Sequence, residues 1–231
     1  MTEHAVIVAM DFSSKEEVYS FLGKLGSERP YLKIGMELFY KEGPDMVRKL
    51  KAEGYKIFLD LKLHDIPNTV YKAMKNLAAL GVDITNVHAA GGIKMMEWAR
   101  KGLNEGGGEN TALIAITQLT STDERMLHEE LLIPESLPDT VKKYAANAKA
   151  AGLDGVVCSA HEAPIISGLG LISVTPGIRL SGDDVNDQKR VATPALAREL
   201  GSTHIVVGRS ITAAADPLAA YLRTVKEFIG G

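Results

Sequence analysis

The chain has 231 residues, of which 45% are hydrophobic and 24% are charged, a composition typical of globular proteins. Its formal net charge of −3 argues against nucleic acid or an anionic membrane as a partner, and no apolar run approaches the roughly 20 residues of a membrane-spanning helix. A single cysteine, Cys158, excludes an intramolecular disulfide and suits the reducing cytoplasm. We therefore expect a cytoplasmic protein that binds any anionic ligand through a local cationic site.

Short apolar runs alternate with longer amphipathic stretches along the whole chain. The apolar runs predict strands near residues 5–10, 31–34, 56–61, 84–87, 112–116, 155–158, 171–174 and 204–207. The amphipathic stretches predict helices over residues 14–25, 43–53, 68–80, 92–104, 138–151, 162–167, 194–200 and 217–228. This alternation, without a linker, predicts a single (β/α)8 TIM-barrel domain over residues 1–231, rather than an open doubly wound sheet.

Two predicted connections are longer than the others. One follows the fifth strand over residues 117–137, and the other follows the seventh strand over residues 175–190. Long loops in compact domains often act as lids or binding loops. Both should emerge at the face formed by the carboxyl ends of the strands, where barrel enzymes have their active sites.

The third predicted strand contains an unusual pair of charges. Side chains alternate between the two faces of a strand, so Asp60 and Lys62 share one face with Phe58, while the apolar side chains at alternate positions 57–61 share the other. In a barrel, the apolar set would meet the helices and the charged pair would point inward. Asp65 follows in the next loop. Parallel strands are normally apolar on both faces, so this pair requires an explanation.

Charges also occur at the ends of the first two strands. The first strand runs directly into Asp11, and Lys33 has the opposite parity to the apolar Leu32 and Ile34. These charges should therefore meet the pair of the third strand at one end of the barrel. The cluster is either a structural network of buried ion pairs or a catalytic site. Its position at the carboxyl ends of adjacent strands favours catalysis.

The pattern Asp60-x-Lys62-x-x-Asp65 resembles the D-x-K-x-x-D motif of the orotidine phosphate decarboxylase superfamily. The similarity extends over essentially the whole chain, through residues 33–37, 87–92, 117–121, 174–179 and 206–210. The resemblance implies a carboxy-lyase that converts orotidine 5'-phosphate (OMP) to uridine 5'-phosphate (UMP) and carbon dioxide in pyrimidine biosynthesis. It also implies that no metal or organic cofactor takes part.

The resemblance assigns roles to the charged cluster. Lys62 is the proton donor, and Asp60 lies near the departing carboxylate. Lys33 bridges the carboxylates, Asp11 holds ribose hydroxyls, and Thr120 contacts the pyrimidine. Ammonium is well suited to this chemistry, because it can stabilise developing negative charge and then deliver a proton.

The last predicted strand ends in Gly208 and Arg209 before a helix, which indicates either a phosphate site or an ordinary strand-to-helix turn. The loops after the seventh and eighth strands are the usual phosphate site of barrel enzymes. The resemblance assigns phosphate contacts to Gln188, Gly208 and Arg209, with Arg179 on the same loop as Gln188. We expect that polar loop to close over the phosphate.

The resemblance also implies a homodimer with two shared active sites. In the family, the residues equivalent to Asp65, Ile66 and Thr69 reach into the active site of the partner subunit. The sequence by itself does not show this assembly.

Two other functions stay open at this stage. A magnesium-dependent member of the same superfamily would use an acidic residue at the end of the second strand, where Lys33 is a poor metal ligand. A catalytically silent barrel that only binds nucleotides would have no need of the charged cluster. We interpret His88 as structural and Cys158 as a buried, unreactive thiol, and assign no role to His64.

Overall fold

Eight parallel strands form a closed barrel in chain order in the computed structural model, which describes residues 4–182 and 191–230. The first strand pairs with the last, which closes the barrel. The bounds are β1 Ala5–Ala9, β2 Tyr31–Gly35, β3 Ile57–Leu63, β4 Ile84–His88, β5 Ala112–Ile116, β6 Gly155–Val157, β7 Ile172–Thr175 and β8 His204–Val207. The predicted (β/α)8 fold is confirmed.

Helices surround this barrel. Their bounds are α1 Lys15–Lys24, α2 Met36–Ala52, α3 Pro67–Ala78, α4 Gly92–Glu105, α5 Leu137–Ala150, α6 Ala163–Gly168, α7 Pro194–Glu199, α8 Arg209–Thr212 and α9 Pro217–Ile229. Side-chain N-caps start α1 and α9: the side chain of Ser14 accepts the amide N–H of Glu17, and that of Asp216 accepts the amide N–H of Ala219. No helix among the described residues is long and apolar enough to cross a membrane.

The strands have two apolar faces of different function. Ile7, Phe58 and Ile114 belong to a cluster that fills the interior of the barrel. The side chains of opposite parity pack against the helices, as Ile57 and Leu59 do in the larger cluster between barrel and helices. This alternation confirms the predicted orientation of β3, and it directs Asp60 inward.

Helix α2 differs from the prediction, which started it at residue 43. The helix begins at Met36, and Gly43 forms a kink inside it, with a φ of 73° that favours glycine. Pro44 follows at the start of the second segment, where its missing N–H costs nothing. The predicted helix start at residue 43 is therefore the junction between two helical segments. The prediction also omitted the four-residue helix α8 and a π-helical turn, Met126–Glu130.

Candidate active site

The barrel opens at the carboxyl ends of its strands into a cavity of about 580 Å³. The cavity is lined by eight residues predicted for the site: Asp11, Lys33, Asp60, Lys62, Thr120, Arg179, Gly208 and Arg209. They come from loops or strand ends at β1, β2, β3, β5, β7 and β8. The fold therefore brings together residues that lie up to about 200 positions apart in the sequence.

Four of these side chains form a chain of alternating charges. Lys33 Nζ donates to Asp11 Oδ1 at 3.1 Å and lies 3.4 Å from Asp60 Oδ2. Lys62 Nζ approaches the same oxygen of Asp60 at 2.8 Å. The Asp60 side chain is only 6% exposed, whereas that of Asp11 is 65% exposed. The predicted convergence of the charged residues is confirmed, with Asp60 at its centre.

The network stabilises the charged forms of its buried members. Burial opposes ionisation of Asp60, but the ammonium groups of Lys33 and Lys62, with hydrogen bonds from Lys62 and Asn86, lower the pKa of Asp60 below 3.8. Burial also opposes the charge on Lys33, yet Asp60 and Asp11 raise the pKa of Lys33 above 10.5. Both groups are therefore ionised at neutral pH, which maintains fixed charges of both signs at the cavity wall.

The end of β3 holds Lys62 in an uncommon backbone conformation. The φ of Lys62 is 53°, in the left-handed region that side chains other than glycine rarely adopt. The pairing of β3 with β4 shifts register between Leu59 and Leu63, around this residue. The backbone N–H of Lys62 donates to the side chain of Asn86 at 2.8 Å. Asn86 was not among the predicted site residues, although its inward position on β4 distinguishes it from the apolar residues expected there.

The loops after β7 and β8 carry the predicted phosphate residues. Arg209 begins α8 directly after Gly208, and Arg179 lies on the loop after β7, where its Nη1 donates to the carbonyl of Ile178. A β-carbon at Gly208 would lie 3.7 Å from the Cβ of Ala9 and 3.9 Å from Asp11 Oδ2, which are ordinary van der Waals contacts, so Gly208 lies directly beside Asp11 at the cavity wall. Gln188 lies outside the described residues, as does most of its loop.

Three predicted residues do not line the cavity of their own chain. Asp65, Ile66 and Thr69 are exposed at the start of α3, and the side chain of Asp65 accepts the backbone N–H of Ile66 at 2.6 Å. Ile66 is 67% exposed, which is unusual for a large apolar side chain. Their role across a dimer interface stays a prediction.

His88 and Cys158, interpreted from the sequence as a structural histidine and an unreactive thiol, both lie close to the charged cavity. His88 is half-buried at the end of β4, with its ring 5.6 Å from that of His64. Burial, followed by the nearby His64 and Lys62, lowers the pKa of His88, and Asp60 only partly opposes this. Cys158 is buried, as expected, but it also contributes to the cavity lining. Gln118 and Ser121 line the cavity as well and were not predicted individually.

A closed (β/α)8 barrel with a charged cavity at the carboxyl ends of its strands is the architecture of TIM-barrel enzymes. Among the described residues, no cluster of three or more His, Cys, Asp or Glu side chains is arranged to hold a metal ion. Fold and site therefore define a barrel enzyme whose cavity is dominated by lysine–aspartate ion pairs.

Comparison with known proteins identifies the family. The model of the orotidine 5'-phosphate decarboxylase / HUMPS family matches residues 4–224. Orotidine 5'-phosphate decarboxylase from Geobacillus thermodenitrificans is 58% identical, with 97% of each chain covered. The enzyme of that name from Bacillus caldolyticus is also 58% identical, over 97% of this chain and 95% of the relative. This chain belongs to the orotidine 5'-phosphate decarboxylase / HUMPS family.

Solved structures agree with this assignment. The crystal structure of orotidine 5'-phosphate decarboxylase from Lactobacillus acidophilus superposes with a TM-score of 0.88 at 44% identity, covering 98% of this chain and 99% of that one. An uncharacterized conserved protein from Geobacillus kaustophilus gives a TM-score of 0.85 at 52% identity, covering 96% of this chain and 99% of that chain. The similarity to these solved structures therefore extends over the whole barrel and nearly the full length of the chain.

Proposed function

We propose that this protein is an orotidine 5'-phosphate decarboxylase, which converts OMP to UMP and carbon dioxide in pyrimidine biosynthesis without a metal or organic cofactor. The observation that carries the proposal is the alternating network in which Asp60 lies between Lys33 and Lys62 inside the cavity. Close relatives over nearly the full chain have this name, which supports the substrate and the reaction.

The chemistry requires a fixed positive charge where the carboxylate leaves. The bond between C6 of the pyrimidine and the carboxylate carbon breaks, and its electron pair remains at C6 while carbon dioxide departs. The ammonium of Lys62 stabilises this developing charge and then donates its proton to C6, which gives UMP. Solvent returns a proton to Lys62. The short contact of Lys62 with Asp60 supports this role, because it holds the ammonium on the cavity wall.

The other members of the network position the substrate and the proton donor. In the proposal, Asp60 lies beside the departing carboxylate, and Lys33 bridges Asp60 and Asp11, as its two ion pairs allow. Asp11 binds ribose hydroxyls from its exposed position at the cavity mouth. Thr120, on the loop after β5, contacts the pyrimidine.

The substrate phosphate binds at the loops after β7 and β8. Arg209, Arg179 and the backbone at Gly208 are its ligands, together with Gln188. Two guanidinium groups on the lining of one cavity support an anion site, since charge-assisted hydrogen bonds to phosphate are strong. Binding energy from this remote group contributes to catalysis by holding the pyrimidine against Lys62.

The active form in this proposal is a cytoplasmic homodimer. Asp65, Ile66 and Thr69 of each subunit reach the cavity of the other and complete it. The exposure of Ile66 supports an interface at the start of α3, as do the exposed apolar side chains Met36 and Tyr40 on the preceding helix in the chain and Ile93 on the following one. The single cysteine is consistent with a reducing compartment.

An assay of OMP consumption by the purified protein in excess EDTA tests the proposal. We expect full activity after metal removal, with UMP as the product. Loss of activity in EDTA and its return with magnesium would instead indicate a metal-dependent member of the family. Lys33 argues against that outcome. Its ammonium pairs with Asp11 at the end of β2, where the magnesium-dependent members have an acidic residue, and an ammonium group cannot bind a metal cation. Binding of UMP without turnover of OMP would contradict the proposed activity.

A further inference from the structure

Asn86 is an uncharged residue that contacts two members of the charged network. It lies on β4, is fully buried, and points into the barrel with the parity of Ile84 and His88. Its Nδ2 donates to Asp60 Oδ1 at 2.7 Å, and its Oδ1 accepts the backbone N–H of Lys62 at 2.8 Å. One amide therefore binds two neighbouring residues of the site through opposite hydrogen-bonding groups.

The contact with Lys62 compensates for an irregular backbone. The register shift between β3 and β4 and the left-handed φ of 53° at Lys62 remove this residue from the regular strand ladder. Its backbone N–H needs another acceptor, because an unpaired buried donor is costly. Asn86 provides that acceptor, and it thereby stabilises the backbone conformation from which the Lys62 side chain enters the cavity.

The hydrogen bond from Asn86 to Asp60 fixes the carboxylate that pairs with the Lys62 ammonium. Asp60 Oδ1 accepts from Asn86, which leaves Oδ2 to face Lys62 at 2.8 Å and Lys33 at 3.4 Å. Rotation of the carboxylate would break these contacts together. Both ends of the Asp60–Lys62 pair are thus held by one side chain from the next strand.

We propose that Asn86 is a positioning residue, which orients the Lys62 ammonium and the Asp60 carboxylate for proton delivery to the substrate. The proposal rests on the proposed decarboxylase function and adds a specific requirement to it. An amide suits this position because it combines one donor and one acceptor. A carboxylate here would repel Asp60, and an apolar side chain would leave both contacts unmade.

Two nearly isosteric variants test the role. Asn86→Leu removes both hydrogen bonds, and we expect kcat to fall by about 100-fold, the scale associated with misplacement of a catalytic group by about 1 Å. UMP affinity should stay within about threefold, because the proposed phosphate residues follow β7 and β8 and are not altered by a change on β4. Since Asp60 loses a donor, its pKa should rise, and the acid limb of the kcat profile should move to higher pH.

Asn86→Asp should respond to pH in the opposite direction to Asn86→Leu, because its activity should increase on acidification. This variant keeps an acceptor for Lys62 but places a second carboxyl group against Asp60, so we expect low activity at neutral pH. Two adjacent carboxylates raise one another's pKa. On acidification the new carboxyl group is protonated and can donate to Asp60 as the amide does, so activity should recover as the pH falls. The other charged groups facing Asp60 are Lys33 from β2, Lys62 from its own strand and, at longer range, His88 from β4.

Thr85→Val is the matched control. Thr85 is also fully buried on β4, and its hydroxyl donates to the carbonyl of Leu59 at 3.2 Å, but it lies on the opposite face of the strand. This variant also loses a buried hydrogen bond between β3 and β4, yet it should retain wild-type kcat and pH profile.

The proposal is overturned if Asn86→Leu keeps the wild-type kcat and acid limb, or if Thr85→Val loses as much activity as Asn86→Leu. It is also overturned if folded Asn86→Asp does not recover on acidification, a result that remains decisive if the leucine variant does not fold. Failure of the wild-type protein to consume OMP would be a different result, since it would refute the proposed function itself.

Discussion

Replacing Asp60 with asparagine should destabilise the folded protein, because this carboxylate is the shared counter-ion of two lysines. At an effective dielectric constant of about 20, ion pairs at 3.4 and 2.8 Å contribute roughly 5 and 6 kcal/mol of attraction, respectively, before desolvation is counted. Desolvation offsets most of this, but breaking a buried pair leaves an uncompensated charge and typically costs about 3–5 kcal/mol. We expect Asp60→Asn to lower the free energy of unfolding by about 3 kcal/mol at neutral pH.

Urea denaturation at a fixed protein concentration measures this loss, and Asp11→Asn is the control. The Asp11 side chain is 65% exposed, so its pair with Lys33 should contribute less than about 1 kcal/mol. The pKa of Asp60 is lowered, so its stabilisation is present above its ordinary value of 3.8 and is lost as the pH falls through the folded-state pKa. The pKa of Lys33 is raised, so its contribution persists up to at least 10.5.

The difference in the free energy of unfolding between wild type and Asp60→Asn should therefore be constant between pH 3.8 and pH 10.5, and it should become smaller at more acidic pH. A variant as stable as the wild type, or equal losses for Asp60→Asn and Asp11→Asn, would refute the reasoning about burial.

Two further substitutions test the remaining parts of the site. Arg209→Met should lower kcat/KM for OMP by about 10–100-fold, the effect of one charge-assisted hydrogen bond, and leave the slow reaction of phosphate-free orotidine unchanged; equal losses for both substrates would contradict a phosphate role. Ile66→Asp should shift the protein to monomers in sedimentation analysis and reduce activity in parallel, because it places a charge at the proposed interface. Leu222→Asp on α9, also at an exposed apolar side chain, is its control, and a fully active monomer would refute the shared site.

The sequence predicted the location of the charged network because strand periodicity is a strong constraint. Asp60 and Lys62 interrupt an apolar strand at inward positions, and Lys33 does the same on the preceding strand. Once eight strands close into a barrel, these positions must converge at one end. The observed ion pairs confirm that inference.

The sequence did not predict the backbone irregularities and the uncharged contact that orient these side chains. The left-handed backbone of Lys62 results from a shift in pairing between β3 and β4, which depends on tertiary contacts and has no glycine to mark it. Asn86 occupies an inward strand position, as Asp60 does, but a neutral amide costs less to bury than a charge and is therefore a weaker indication of a site. The Gly43-Pro44 pair is compatible both with the start of a helix and with a kink inside one, so the sequence does not distinguish between them.

The most direct test of the account concerns the ammonium of Lys62. For Lys62→Ala, we expect OMP turnover to fall by more than about 10⁴-fold, because both the fixed positive charge and the proton donor are lost. UMP should still bind, since the residues proposed to hold its phosphate follow β7 and β8, whereas Lys62 lies on β3. Lys142→Ala, at an exposed lysine of α5, should behave as the wild type. Turnover by Lys62→Ala at a rate near that of the wild type would contradict the assignment of Lys62 as the proton donor.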